Sequence, residues 1–165
     1  MIVRRLSPPD AAAFRAVRLR ALHDHPEAFT SSFEEDNLLP LAYSEQRLGP
    51  QSTAQYWGAF DGEALVGTVG LDRDKRVKTR HKALVIGMVV APEYVGLGVG
   101  RRLLDALVAD ARASGLARLV LTVTRGNQRA ERLYESAGFK SFGFEPDAIQ
   151  VGSQRFDKNH MSLAI

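Results

Sequence analysis

The chain has 165 residues, 45% of them hydrophobic and 25% charged, with a net charge of +3 and no cysteine. That length and balance predict one domain over 1–165 with a full core, and the lack of cysteine excludes disulfides, thiolate metal sites and cysteine nucleophiles. No apolar run approaches the ~18 residues of a membrane-spanning helix, and Met1-Ile2-Val3-Arg4-Arg5 lacks the apolar stretch of a signal peptide, so a cytoplasmic protein without a membrane partner is expected.

Met1 to Leu6 reads as a short strand. Ser7-Pro8-Pro9-Asp10 then combines an N-cap, prolines in the first turn and an acid at the third position, which starts a helix running to about Asp24. Shorter helices are expected over Glu27 to Asp36 and Tyr43 to Leu48. Thr53 to Asp61 alternates like a strand, Asp61-Gly62 is a hairpin turn, and Glu63 to Leu71 returns. The basic run Lys75 to Lys82 reads as a solvated loop, with a site for an acidic substrate as the other reading.

Lys82 to Ala91 is an almost unbroken apolar strand, predicted to be central and buried on both faces. Gly98 to Ser114 shows a helical stripe of Leu103, Leu104, Leu107, Val108 and Ala111, closed by Gly115. Leu116 to Thr124 is a second buried strand, Asn127 to Ala137 a helix, and Phe139 to Phe144 and Phe156 to Leu163 two last strands. The fold class is α/β: a mixed, mostly antiparallel central sheet flanked by helices, with a parallel β-α-β unit in the middle.

The feature richest in chemistry is Val95-Gly96-Leu97-Gly98-Val99-Gly100, set between an apolar strand and a helix. Alternate glycines permit a tight bend with uncovered N–H groups, and the helix start adds its positive dipole end. Such a turn suits a phosphate-bearing ligand. A dinucleotide site needs a third glycine where Arg101 stands and an acid near position 120, where the chain reads Leu119-Val120-Leu121. A nucleoside-triphosphate loop needs Gly-Lys-Ser or Gly-Lys-Thr, absent here. A ligand-free glycine-rich connection is the alternative for the turn taken alone.

A second constellation lies downstream. Asn127, Ala130, Glu131 and Tyr134 fall at i, i+3, i+4 and i+7 and share one helix face. Taken singly, Asn127 reads equally as a helix cap and Tyr134 as a core aromatic. Together, Pro92-Glu93-Tyr94-Val95-Gly96-Leu97-Gly98-Val99-Gly100-Arg101-Arg102-Leu103-Leu104 and Asn127-Gln128-Arg129-Ala130-Glu131-Arg132-Leu133-Tyr134-Glu135-Ser136-Ala137-Gly138-Phe139 resemble the GCN5-related N-acetyltransferases. The resemblance is strong over the central half of the chain.

The resemblance implies acetyl-CoA as donor, no metal, and an amine of a small molecule or peptide as acceptor. The central strand would splay from its parallel neighbour, starting at a bulge at Gly87, and receive the pantetheine arm along Met88, Val89 and Val90. The pyrophosphate would lie on the N–H groups of Val95, Gly96, Gly98, Val99, Gly100 and Arg101. By the same resemblance Val90 N–H polarises the thioester carbonyl, Asn127 and Ala130 line the arm, and Tyr134 donates to the leaving sulfur.

Two departures stand out. Val95 occupies a position where relatives usually carry Arg or Gln, so the cradle relies on backbone. Leu84-Val85-Ile86-Gly87-Met88-Val89-Val90 lacks the glutamate that serves many members as base, which leaves Glu34, Glu35 or His81 as candidates beside their plainer reading as surface residues. Phe29, Ser32 and Phe33 are candidates for the acceptor cleft, with Gln154, Arg155 and Phe156 contributed by the last strands. A non-catalytic acyl-CoA-binding or interaction module on the same fold is the competing expectation. No nucleic-acid motif accompanies the basic charge. A homodimer formed through the final strand is the other possible assembly.

Overall fold

The computed structural model describes residues 1–165. The elements are β1 (Ile2–Arg5), α1 (Ala11–Asp24), α2 (Phe33–Leu38), α3 (Leu41–Leu48), β2 (Ala54–Asp61), β3 (Ala64–Arg73), β4 (Lys82–Val90), α4 (Val99–Ala113), β5 (Arg118–Thr124), α5 (Gln128–Ser136), β6 (Lys140–Val151) and β7 (Gln154–Ala164). The seven strands form one sheet in the order β1-β2-β3-β4-β5-β7-β6. Only the β4–β5 pair is parallel; every other neighbour is antiparallel.

Strand alternation sorts the side chains onto two cores. Trp57, Val69, Leu71, Leu119, Leu121 and Met161 point to the face covered by α4 and α5, where Leu103, Leu104 and Leu107 are fully buried. Tyr56, Phe60 and Leu65 point to the opposite face, under α1 and α3. There Phe14 meets the Tyr56 ring edge-on at 4.8 Å, and the Arg47 guanidinium donates to the Tyr56 hydroxyl.

Several expectations are corrected. The helix over Glu27 to Asp36 is broken: a single 3-10 turn covers Pro26–Ala28, and α2 restarts only at Phe33. The restart is a capping box, with Ser32 Oγ accepting from Glu35 N–H (3.1 Å) and the Glu35 carboxylate accepting from Ser32 N–H (3.3 Å). The last two strands are longer than expected and turn at Gly152-Ser153. Pro146 does not end β6; it sits in an irregularity between Glu145 and Ile149, where an edge strand tolerates it. β7 is interior and β6 is the sheet edge, so a partner could not pair with the final strand.

β4 is central, but it is not buried on both faces. Leu84 is 42% exposed and Ile86, Met88 and Val90 are half-buried. Val120 and Thr122 on β5 are likewise half-buried. Ile86 packs at the margin of the α1 core, whereas Met88 and Val90, past the glycine at 87, pack against the α4–α5 core.

Candidate active site

The parallel ladder between β4 and β5 is short. It holds Lys82 against Arg118, Ala83 against Leu119 and Leu84 against Val120, and then stops. From Val85 and Leu121 onward the two strands part. A bulge keeps them apart: the β3–β4 register shifts between Thr68 and Gly70. Gly87 adopts φ +58, a left-handed conformation that costs a side-chain-bearing residue about 1–2 kcal/mol, and its carbonyl accepts from Thr68 Oγ1 at 3.0 Å. The bulge falls where the glycine in the strand predicted it.

The end of β4 leaves one N–H facing the opening. Ala91 N–H donates to Val66 O at 2.8 Å, which makes Ala91–Val66 a hydrogen-bonded pair. Hydrogen-bonded and non-bonded pairs alternate along an antiparallel ladder, so Val90, opposite Gly67, turns its N–H away from β3 and toward the parted β5. By the same alternation Val89 commits its backbone to Thr68, and its side chain is buried. Of the three residues predicted along the pantetheine arm, Val90 has its backbone directed into the opening, Met88 lies in the bulge, and Val89 does not turn that way.

Beyond β4, Pro92–Tyr94 forms a 3-10 turn. It is tied down from two sides, by Tyr94 Oη donating to Asp61 (2.9 Å) and by Arg20 paired bidentately with Glu93 (2.5 and 3.1 Å). The glycine turn follows. Gly96 and Gly98 take φ +86 and +77, and Gly98 caps α4. Val95 and Leu97 N–H donate to Pro92 O and Tyr94 O, both at 3.3 Å, so the predicted contribution of Val95 N–H to the cradle is withdrawn. The N–H groups of Gly96, Gly98, Val99, Gly100 and Arg101 have no intramolecular acceptor. Five unpaired donors at the positive end of a 15-residue helix form an anion seat.

Gly100 brings three elements together. A Cβ there would stand 3.1 Å from Leu133 of α5 and 3.7 Å from Val90 of β4. Arg101 reinforces the α4–α5 contact, donating to Asp105 (2.8 Å) and to the Ser136 carbonyl (3.1 Å). Its side chain therefore braces the two helices, and only its backbone N–H belongs to the seat.

Helix α5 begins at Asn127, whose Oδ1 accepts from Ala130 N–H at 3.2 Å. The capping role is thus real and leaves the amide NH2 free. Tyr134 is 6% exposed and stacks edge-on against Phe139 at 5.8 Å. Burial pushes the phenol's pKa up. Its hydroxyl makes no hydrogen bond within the protein, yet it is not among the sealed polar atoms, a class that contains only Gln55 Oε1. A core phenol whose oxygen faces open space is poised to donate to a ligand atom.

On the α1 face, the segment after α1 crosses over β5 and β7. Thr124 Oγ1 donates to Glu27 O at 2.6 Å, and Lys158 Nζ donates to Thr30 Oγ1 at 3.0 Å and Thr122 Oγ1 at 3.4 Å. Phe29 and Phe33, half-buried on this segment, flank the crossing, and Phe33 meets His23 edge-on at 5.4 Å. Ser32 is engaged in the α2 cap. Gln154 and Arg155 stand at the far hairpin tip, where Arg155 pairs with Asp147. Lys158 went unnoticed in the sequence because its setting depends on Thr30, 128 positions away.

The candidate bases fare poorly. Glu35 is held in the capping box. Glu34 is exposed and makes no ion pair. His81 precedes β4 at the end opposite Val90, and at ~3.3 Å per residue that separation is roughly 30 Å. A cavity of 550 Å³ is also at that remote end, lined by residues such as Asp72, Lys75, Lys82 and Leu84. It lies away from the seat and from Tyr134.

A mixed sheet that opens between its parallel strands beside an unpaired helix start defines the class: a domain with an anion seat next to a gap in its own sheet. Residues 18–139 match the acetyltransferase (GNAT) family. The chain belongs to that family. It is 32% identical over 81% of its length to a mycothiol acetyltransferase of Geodermatophilus obscurus, covering 42% of that protein. It is 36% identical over 66% of its length to the N-alpha-acetyltransferase RimI of Mycobacterium tuberculosis, covering 65% of it. A GNAT-family acetyltransferase from Streptococcus pneumoniae superposes with TM-score 0.91 at 27% identity, with 99% of both chains covered.

Proposed function

We propose that the protein is an acetyl-CoA-dependent N-acetyltransferase acting on a primary amine of a small molecule or a peptide. The observation that carries this reading is the alignment of five unpaired N–H groups at the start of α4 with an opening in the sheet that receives the N–H of Val90. Family membership and its relatives' names support it. The donor supplies a thioester, and the protein supplies everything else. The α4 seat binds pyrophosphate oxygens through backbone donors, since Val95 offers no polar side chain. The Asn127 amide, freed on its NH2 side, holds the arm against α5.

The transfer is direct. The neutral amine attacks the thioester carbonyl, a C–N bond forms, and the C–S bond breaks. Val90 N–H donates to the oxygen that gains charge. The Tyr134 hydroxyl donates to the sulfur as it leaves. Because burial raises its pKa, the phenol stabilises charge as a hydrogen-bond donor, and a complete proton transfer from it is uphill. No ionisable side chain lies between Leu84 and Val90, so the amine's proton leaves through water. The test is calorimetric titration with acetyl-CoA, followed by thiol release across amines, amino acids and peptide N-termini. Binding with release on at least one acceptor is expected. Absence of binding at millimolar acetyl-CoA removes the reading, and tight binding with no release on any acceptor turns it into a non-catalytic acyl-CoA module.

A further inference from the structure

The wall of the cleft across from β4 carries a cation that the transfer chemistry does not use. Lys158 stands on β7 opposite Thr124. Asn159, beside it, points toward Glu131 of α5, so alternation sends Lys158 to the α1 face, under the segment that follows α1. Its ammonium reaches Thr122, on β5 past the last residue paired with β4, and Thr30, on the crossing segment. It therefore sits where the opening between the strands meets the amine side.

Both of its partners are hydroxyls. Arg18 is paired with Asp36 at 2.5 Å and Arg125 with Asp157 at 3.8 Å, while Glu145, opposite Lys158 on β6, contacts His160 Nε2 at 2.8 Å. Lys158 forms no ion pair. Burial lowers its pKa and Glu145 offsets part of that. An ammonium has three N–H donors; two are engaged by hydroxyls, and one is left for a ligand on a half-buried charge whose cross-strand neighbour on β6 is Glu145. A bound anion would compensate that desolvation. An acceptor lacking one would bring its own positive amine against a like charge.

We propose that Lys158 selects the acceptor, its ammonium receiving a carboxylate that the acceptor carries beside its amine. This rests on the N-acetyltransferase reading and narrows it to free amino acids over neutral amines and peptide N-termini. In an amino acid a single carbon joins carboxylate and amine, so a carboxylate on Nζ leaves the amine directed along Thr122 toward the parted strands.

The test compares matched acceptors on the full chain: L-alanine with L-alaninamide, and L-methionine with L-methioninamide, read by thiol release from acetyl-CoA. Each carboxylate member should exceed its amide in kcat/KM by about tenfold or more, the scale of one charge-assisted hydrogen bond. Lys158→Met should erase that preference mainly through KM and leave acetyl-CoA affinity and the amide rates unchanged; Lys158→Arg should retain part of it. Calorimetry with N-acetyl-L-alanine on the CoA-loaded protein gives a readout without turnover, with binding lost in Lys158→Met. Preference for the amides, a preference that survives Lys158→Met, or rates on neither amino acid overturns the assignment while leaving the transferase intact wherever other amines react. Failure of acetyl-CoA to bind the wild-type chain removes the transferase reading and this one with it.

Discussion

Tyr134 joins two properties that oppose each other in an ordinary core: a buried phenol ring and a hydroxyl with no protein partner. A buried Tyr O–H usually finds an acceptor, because an unpaired one costs about 1–3 kcal/mol. The cost is reduced here because the oxygen is not sealed from solvent. Tyr134→Phe should therefore leave thermal stability and acetyl-CoA affinity little changed and lower kcat by about 10²-fold, the low end for a positioned proton donor. Unchanged turnover in steady-state kinetics would move the donor role elsewhere. Alkaline pH supplies a second readout. The folded pKa lies above the unfolded one, so the phenol's contribution is complete below about pH 10 and is lost as pH rises beyond it. Urea unfolding between neutral and strongly alkaline pH should show a shallower loss in Tyr134→Phe. Some loss should remain, because burial also raises the pKa of Tyr56.

At the scale of elements, α5 carries its function at its first residue. Asn127 Oδ1 caps the helix that holds Tyr134, and the same side chain keeps an NH2 with no partner in the protein. Asn127→Ala should cost about 1 kcal/mol of stability and weaken acetyl-CoA binding. Asn127→Ser, which keeps a capping oxygen but loses the amide, separates the two roles: thermal stability should return while acetyl-CoA affinity stays low by calorimetry. Affinity that returns with the cap would make Asn127 purely structural.

Elements were legible where punctuation and periodicity agreed. The α4 stripe and the Asn127 start of α5 stand within a residue of expectation because a glycine or a capping side chain marks each end. The helix over Glu27 to Asp36 is broken because the Ser32–Glu35 capping box starts a new helix at Phe33 and leaves only a 3-10 turn before it. β4 failed for a different reason. An apolar run looks the same whether or not a helix covers it, so Leu84 gave no sign that it stands exposed. The site divides similarly. Backbone donors follow from glycine spacing, whereas Lys158 acquires its meaning only when Thr30 and Thr122 are folded against it.

At the scale of the molecule, the two cores lie on opposite faces of one sheet, and β2 and β3 contribute side chains to both. Trp57, the only tryptophan, is buried on the α4–α5 face, next to Tyr56, which builds the other core. Neither core can lose its strands without exposing the other, so the chain should unfold in one transition, with Trp57 fluorescence and far-ultraviolet circular dichroism sharing a midpoint. A ligand that binds α4, β4 and α5 together bears on the same equilibrium. Acetyl-CoA at about 100 times its Kd adds about 2.7 kcal/mol to the native state, and for a chain of this size each kcal/mol moves Tm by about 2–4 °C. The midpoint should rise by roughly 5–10 °C in both signals. If the fluorescence transition moves while a separate dichroism transition stays where it was, the α1 face unfolds independently and the chain is two cooperative units around a shared sheet.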